Sequence, residues 1–258
     1  MGEADLRLEL DGPVATLVLA RPERQNAIGS AMWQALAGHC DLLQGMPEVR
    51  VVVVRGEGGV FSAGADIGEF TQVFADRGTA HDYNELVQDA LERVERLPQP
   101  TIAQITGNCI GGGCALAVAC DLRFAAEDAR LGITPARLGL AYALGDIRRL
   151  AALIGPARTK DLLFSARLVG AGEALRLGLV DRVTETAVLE TEVGGYVRSL
   201  CALSGSSQRA IKAIARLVGL GQCQEDDASR ALRDAAVEDP DFAEGRAAFL
   251  AKRPPRFS

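Results

Sequence analysis

Histidine is almost absent from this chain of 258 residues, and the two present, His39 and His81, have no serine or cysteine partner at a recognisable spacing. A histidine-based nucleophilic triad is therefore not expected, and each histidine reads as a surface or packing residue. The six cysteines (Cys40, Cys109, Cys114, Cys120, Cys201 and Cys223) form no CxxC pair and have no histidine at metal-ligand spacing, so no metal site is expected. They read as reduced, buried small residues. No apolar run approaches the roughly 18 to 20 residues of a membrane span, and the opening MGEADLRLEL lacks the basic start and apolar stretch of a signal peptide. No membrane partner and a cytoplasmic location are expected. The mild net charge of −6, with Lys and Arg scattered, supplies no basic stripe for nucleic acid.

What the chain does have is apolar content, 48% of it, enough to fill a core. LRLEL and PVATLVLA around DG predict a β-hairpin over residues 6–19. Met32, Leu36, Cys40 and Leu43 recur at helical spacing in a run that opens at Ser30 and ends near Gly45. VRVVVVRG (residues 49–56) is a β-branched run of the kind buried on both faces of a sheet. A small-residue loop over 57–70, a helix over 81–97, a strand over 101–107 and a helix to about 119 follow, then two short strands around a turn in DLRFAAEDARLGI. Alternation of strand and helix implies an α/β core with parallel pairing. Past Pro156 two short helices and a short strand are expected, and from about 186 the chain reads as helical. The organisation is a core over 1–200 and a helical region over 201–258 that needs a partner surface to bury its apolar stripes.

Two loops carry the chemistry. In FSAGADI, Gly64 lets the backbone pass close to a ligand and leaves the Ala65 N–H to point at a carbonyl oxygen. In GNCIGGGCAL, glycines 111–113 lie where a strand becomes a helix, so their N–H groups are expected to be unpaired and backed by the helix dipole. Together they can form a two-donor oxyanion hole for an enolate or a tetrahedral oxyanion. The alternative is a pair of plain turns. GGG is not the GxGxxG of a dinucleotide site, and no acidic residue follows a second strand in the required frame.

Taken in order, RPERQNAI (21–28), FSAGADI (61–67), GNCIGGGCALAVACDLRFAAEDARLG (107–132), LGLAYALGDIRRL (138–150) and EALRLGLVDRV (173–183) resemble the crotonase family of enoyl-CoA hydratases, isomerases and relatives. EGRAAFLAKRPPRF (244–257) resembles that family's C-terminal helix and tail. The resemblance implies a spiral of ββα units with C-terminal helices that support a homotrimer or a dimer of trimers. It also implies an acyl-CoA thioester as substrate, with CoA as part of that substrate and no separate cofactor. Its two backbone donors to the thioester oxygen correspond to Ala65 and Gly112, and Arg24, Ala63, Asp66 and Ile67 correspond to positions along CoA. Lys252 corresponds to a tail lysine that reaches a CoA phosphate.

The pattern then breaks. The two glutamates by which hydratases of this family activate water and deliver a proton fall on Ala115 and Pro135, and residues 129–145 contain no Asp or Glu. Among the remaining polar groups Tyr142 takes a position where hydratases often have proline, and Asp146 follows four residues later. ITPARLGLAY also resembles a segment of methylmalonyl-CoA decarboxylase, in which a tyrosine orients the departing carboxylate. Tyr142 reads either in that role or as a core aromatic with a satisfied hydroxyl, and Asp146 reads as a helix cap or first-turn acid as well as a candidate catalytic group. Three functions follow: hydratase or isomerase chemistry through a thioester enolate, decarboxylation of a malonyl-type thioester, or noncatalytic acyl-CoA binding.

Overall fold

The computed structural model describes residues 5–257; residues 1–4, part of the opening from which no signal peptide is expected, lie outside them. Nine strands are formed among the described residues: β1 (Leu6–Asp11), β2 (Val14–Leu19), β3 (Val51–Gly56), β4 (Thr101–Ile105), β5 (Asn108–Ile110), β6 (Leu122–Ala126), β7 (Arg130–Gly132), β8 (Val169–Gly170) and β9 (Arg182–Thr184). A six-stranded sheet runs β1-β2-β3-β4-β6-β9, with only β1 and β2 antiparallel, and a three-stranded sheet runs β5-β7-β8. The expected hairpin is present, turning at Gly12, where φ is +53°.

The helices that follow these strands are α1 (Ser30–Gln44), α2 (Phe70–Val73), α3 (Arg77–Arg96), α4 (Gly112–Ala119), α5 (Leu144–Ser165) and α6 (Ala171–Leu177). The helical region expected from about residue 186 comprises α7 (Leu189–Cys201), α8 (Gly205–Gly219), α9 (Asp227–Glu238) and α10 (Pro240–Leu250). No helix among the described residues is long and apolar enough to cross a membrane.

Burial on both faces explains why β3 is valine throughout its first four positions. Val52 and Val54 join the main core beneath α1, α3 and α4, while Val51 and Val53 join a second cluster with Leu189, Val193 and Val197 of α7. A strand so placed has no solvent face on which alternation could show.

The repeating unit is a strand for the large sheet, a strand for the small sheet and a helix. β4, β5 and α4 form one such turn, and β6, β7 and α5 form the next. Thus the two short strands of DLRFAAEDARLGI do not pair with each other; β6 pairs with β4 and β7 with β5. In the turn that begins with β3 the second strand shrinks to two isolated bridges, Ser62 with Cys109 and Ile28 with Ala65. That reduction creates the candidate site.

Three expectations need correction. α3 starts at Arg77 rather than at residue 81, because Asp76 accepts from Gly78 N and Thr79 N in a capping box. Hence His81 sits inside that helix. The 57–70 loop ends in a 3₁₀ turn, Ile67–Glu69, that runs into α2. Of the cysteines, Cys223 is exposed and Cys201 half-buried, since both belong to the helical region outside the main core.

Candidate active site

The two expected loops meet backbone to backbone. The Ile28 N–H donates to Gly64 O at 2.7 Å and the Asp66 N–H to Ile28 O at 3.0 Å, so this parallel bridge uses the groups on either side of Ala65. Alternation along the extended chain turns the N–H of Ala65 itself the other way, and it has no partner among the described residues. Gly64 makes the close approach feasible. Its φ is +105°, and a Cβ there would lie 2.8 Å from Ile110 O and 3.5 Å from Gly112 N.

The glycine run is used unevenly, contrary to the expectation of three free donors. Gly111 N–H donates to Gly132 O at 2.8 Å, whereas Gly112, the first residue of α4, has no acceptor for its N–H among the described residues. Gly113 is needed for packing, since a Cβ there would lie 2.5 Å from Ser62 Cβ. A Cβ on Gly112 would lie 3.7 Å from Ala65 N and 3.2 Å from Trp33 Cζ2. Two orphan donors, one at a helix N-terminus, therefore border one small space.

That space opens into a cavity of about 180 Å³. Its walls include Trp33 from α1, Phe70 and Phe74 from α2, Tyr83 and Val87 from α3, and the segment from Thr134 to Asp146. Phe70, Phe74 and Tyr83 stack edge to face with centroids 5.0 and 5.6 Å apart. Tyr142 directs its hydroxyl to within 3.9 Å of where a Cβ on Gly111 would stand. No hydrogen-bond partner for that hydroxyl occurs among the described residues, which leaves it open to a ligand or to solvent on this half-buried side chain. Burial, reinforced by the nearby Asp146, pushes it far above its usual range and keeps it a neutral donor.

Asp146 is the one carboxylate lining the cavity, and no Lys, Arg or His lines it among the described residues. It sits in the first turn of α5 but caps nothing, because the N-cap position is Ala143. Its Oδ2 accepts from Gln88 Nε2 at 2.8 Å and its Oδ1 from Arg149 Nη1 at 3.3 Å. Burial pushes Asp146 above the usual carboxylate range, outweighing the Gln88 hydrogen bond and the Arg149 charge that draw it down. A buried carboxylate of raised basicity that lines the same cavity as two orphan N–H groups is an arrangement suited to moving a proton to or from carbon.

A family model described as enoyl-CoA hydratase/isomerase matches residues 9–258. The chain belongs to the enoyl-CoA hydratase/isomerase family. It is 37% identical to a Thermus thermophilus protein named as an enoyl-CoA hydratase, over 95% of this chain and 98% of that protein. It is 31% identical to the crotonyl-CoA hydratase of Syntrophomonas wolfei, over 100% of this chain and 99% of that protein. A solved enoyl-CoA hydratase/isomerase family protein from Hyphomonas neptunium superposes with a TM-score of 0.95 at 40% identity, over 98% of this chain and 97% of that one. The crotonase resemblance is therefore correct, and the chain is an acyl-CoA-processing enzyme of this family.

Within this family member the remaining expected residues are distributed as follows. Ala63 and Ile67 line the cavity, Ile67 largely exposed. Asp66 accepts from Gly68 N at 3.0 Å and pairs with Arg21 Nη2 at 3.1 Å and Arg24 Nη1 at 3.7 Å, which ties the Arg24 loop to the first glycine loop. Lys252 is exposed beyond α10 and does not line the cavity. Pro135 lines the cavity, whereas Ala115 is buried in α4 behind it, and neither bears a proton-transfer group. Glu69 serves α1, accepting from Ser30 N at 2.8 Å and Ser30 Oγ at 2.6 Å. Sequence reasoning missed Trp33, Tyr83 and Gln88. Their only signal was position: Trp33 falls in the first turn of α1, and Tyr83 and Val87 are four apart on α3.

Proposed function

We propose that the chain moves a proton at carbon adjacent to a CoA thioester, in an isomerisation of the double bond rather than a hydration. The observation that carries this reading is that two orphan N–H groups, on Ala65 and Gly112, and a single carboxylate, on Asp146, serve one cavity. The thioester oxygen accepts from both N–H groups. Asp146, as carboxylate, takes a proton from the acyl chain; the C–H electron pair moves into the thioester and makes an enolate held by the hole. The resulting carboxylic acid exchanges its proton with solvent and delivers a proton to a different carbon, and atoms and charge balance. One group suffices for this sequence, whereas hydration by the family's usual route employs two. Tyr142, neutral and unpartnered, donates to the acyl group beside Gly111.

In this reading Arg24, Ala63, Asp66 and Ile67 line the path of CoA, and Lys252 meets its phosphates from a neighbouring protomer. Exposed apolar residues such as Ile211, Val218, Phe249 and Leu250 fit burial in a homotrimer or a dimer of trimers. Decarboxylation is the second reading, favoured by the free hydroxyl of Tyr142 and weakened by the lack of a cation in the cavity to receive a carboxylate.

Incubation of crotonyl-CoA, a 3-enoyl-CoA and methylmalonyl-CoA in deuterated water, followed by mass spectrometry, tests the assignment. Deuterium entry with a shifted double bond, lost in Asp146→Asn, is expected. Water addition to crotonyl-CoA, or loss of carbon dioxide alone, would replace the proposal with hydration or decarboxylation.

A further inference from the structure

Asp146 does not stand alone. Arg149, which reaches its Oδ1, also donates through Nε to Glu95 Oε2 at 2.7 Å, and Glu95 in turn takes both its oxygens to Arg148 Nη2 at 2.7 Å. Gln88 holds the other oxygen of Asp146 from α3. The group is built to close tolerance: a Cβ on Gly145 would lie 2.7 Å from Gln88 Oε1 and 3.4 Å from Arg149 Nη1, so glycine at that position is what admits Gln88. Arg149 is buried, and its guanidinium divides between two carboxylates instead of forming a closed pair with one.

This division matters because a carboxylate in an exclusive pair with a buried guanidinium is a poor base. Glu95 draws Arg149 away, and the longer of the two Arg149 contacts is the one to Asp146. The remaining titratable group beside Asp146 is the phenol of Tyr142, whose own charged and polar neighbours are Asp146, Cys114 and Tyr83. Both phenols are kept neutral by burial.

We propose that Gln88, Arg149 and Glu95 are positioning residues that set, from outside the cavity, how readily Asp146 takes a proton. The proposal rests on the reading of Asp146 as the proton carrier, and two separate readouts distinguish the failure of one from the failure of the other. The first is the titration of the Asp146 carboxyl in the ligand-free protein, followed by carbon-13 NMR with labelled aspartate and assigned through Asp146→Asn. The second is the pH profile of kcat/KM for deuterium exchange into a 3-enoyl-CoA.

Glu95→Gln leaves the charge of Arg149 uncompensated beside Asp146, so the titration and the rising limb of the profile both move to lower pH, by about half a unit or more. Gln88→Leu removes the donor that favours the ionised form, so both move to higher pH by a similar amount. Arg148→Met, a change at a half-buried position that spares the Arg149 contacts, also moves both upward and serves in place of Gln88→Leu if that variant fails to fold, while Glu95→Asp, which shortens the reach to Arg149, serves in place of Glu95→Gln and moves both downward. Shifts of opposite sign in variants that never touch substrate are not produced by loosened packing. An unmoved titration, or shifts of one sign throughout, would overturn the proposal. Titrations that move as expected beside an unmoved rate profile would uphold the network and overturn Asp146 as the proton carrier.

Discussion

Gly112→Ala separates the proposed oxyanion hole from the fold. The backbone of Gly112 is right-handed and begins α4, so alanine fits its conformation and gains up to about 1 kcal/mol of helix propensity. Against this stands a methyl group 3.2 Å from Trp33 Cζ2, a contact the indole relieves by a few tenths of an ångström. The two effects nearly cancel, and a residual of about 1 kcal/mol would shift the melting temperature by only about 2 to 4 °C in a chain of this size. Catalysis has no such compensation. The same methyl lies 3.7 Å from Ala65 N, in the space where the thioester oxygen would accept from both donors. Alanine keeps the N–H at residue 112, but its methyl hinders the oxygen from meeting both donors at once, and loss of one such contact costs about 2.7 to 4 kcal/mol, or roughly 10² to 10³ in turnover. The assay is deuterium exchange into an enoyl-CoA, paired with thermal melting of the same preparation. A folded Gly112→Ala protein that retains turnover within tenfold of the parent would refute the placement of the hole.

Other consequences can be checked independently. Gly38→Ala, on the exposed side of α1 with nothing within 4 Å of the new methyl, should raise stability by about 0.5 to 1 kcal/mol in denaturant titration and leave turnover unchanged. Asp181→Ala should cost about 1 to 2 kcal/mol in the same titration, because the buried guanidinium of Arg123 loses its carboxylate, which accepts from Nη2 at 2.8 Å, and keeps only the carbonyls of Cys120, Asp121 and Leu179. Alkylation of the native protein near pH 8 should label Cys223 first. Burial pushes the thiols of Cys40 and Cys120 up to about 12, so their reactive thiolates form only well above that pH, and peptide mass spectrometry should find both labelled only after unfolding.

The legible parts of the fold were those whose local chemistry agrees with their tertiary surroundings. The hairpin at Gly12, the amphipathic run of α1 and the all-valine start of β3 each carry their reason in a few adjacent residues. The N-terminus of α3 was legible in principle, from Asp76 and Thr79, but the cap lies in a polar stretch without an apolar repeat to draw attention to it. The partition of β6 and β7 between two sheets was not legible, because each is a short apolar run and nothing within it names its partner.

For the site, the glycine loops and the loss of both glutamates could be read directly from residue types at given spacings, since only a backbone can supply donors where no ionisable side chain stands. The sequence thus determined the two donor loops, the family they resemble and the absence of the usual proton carriers. Only the tertiary structure decided which N–H groups are free, because Gly111 loses its own to Gly132 through a strand pairing and Ala65 keeps its own through the alternation of a bridge with Ile28. It alone also brought Gln88 from α3, and Glu95 by way of Arg149, to Asp146 of α5, partners more than 50 residues distant in the chain. Spacing along a sequence can specify a local backbone, but the basicity of a buried carboxylate depends on what distant elements pack around it.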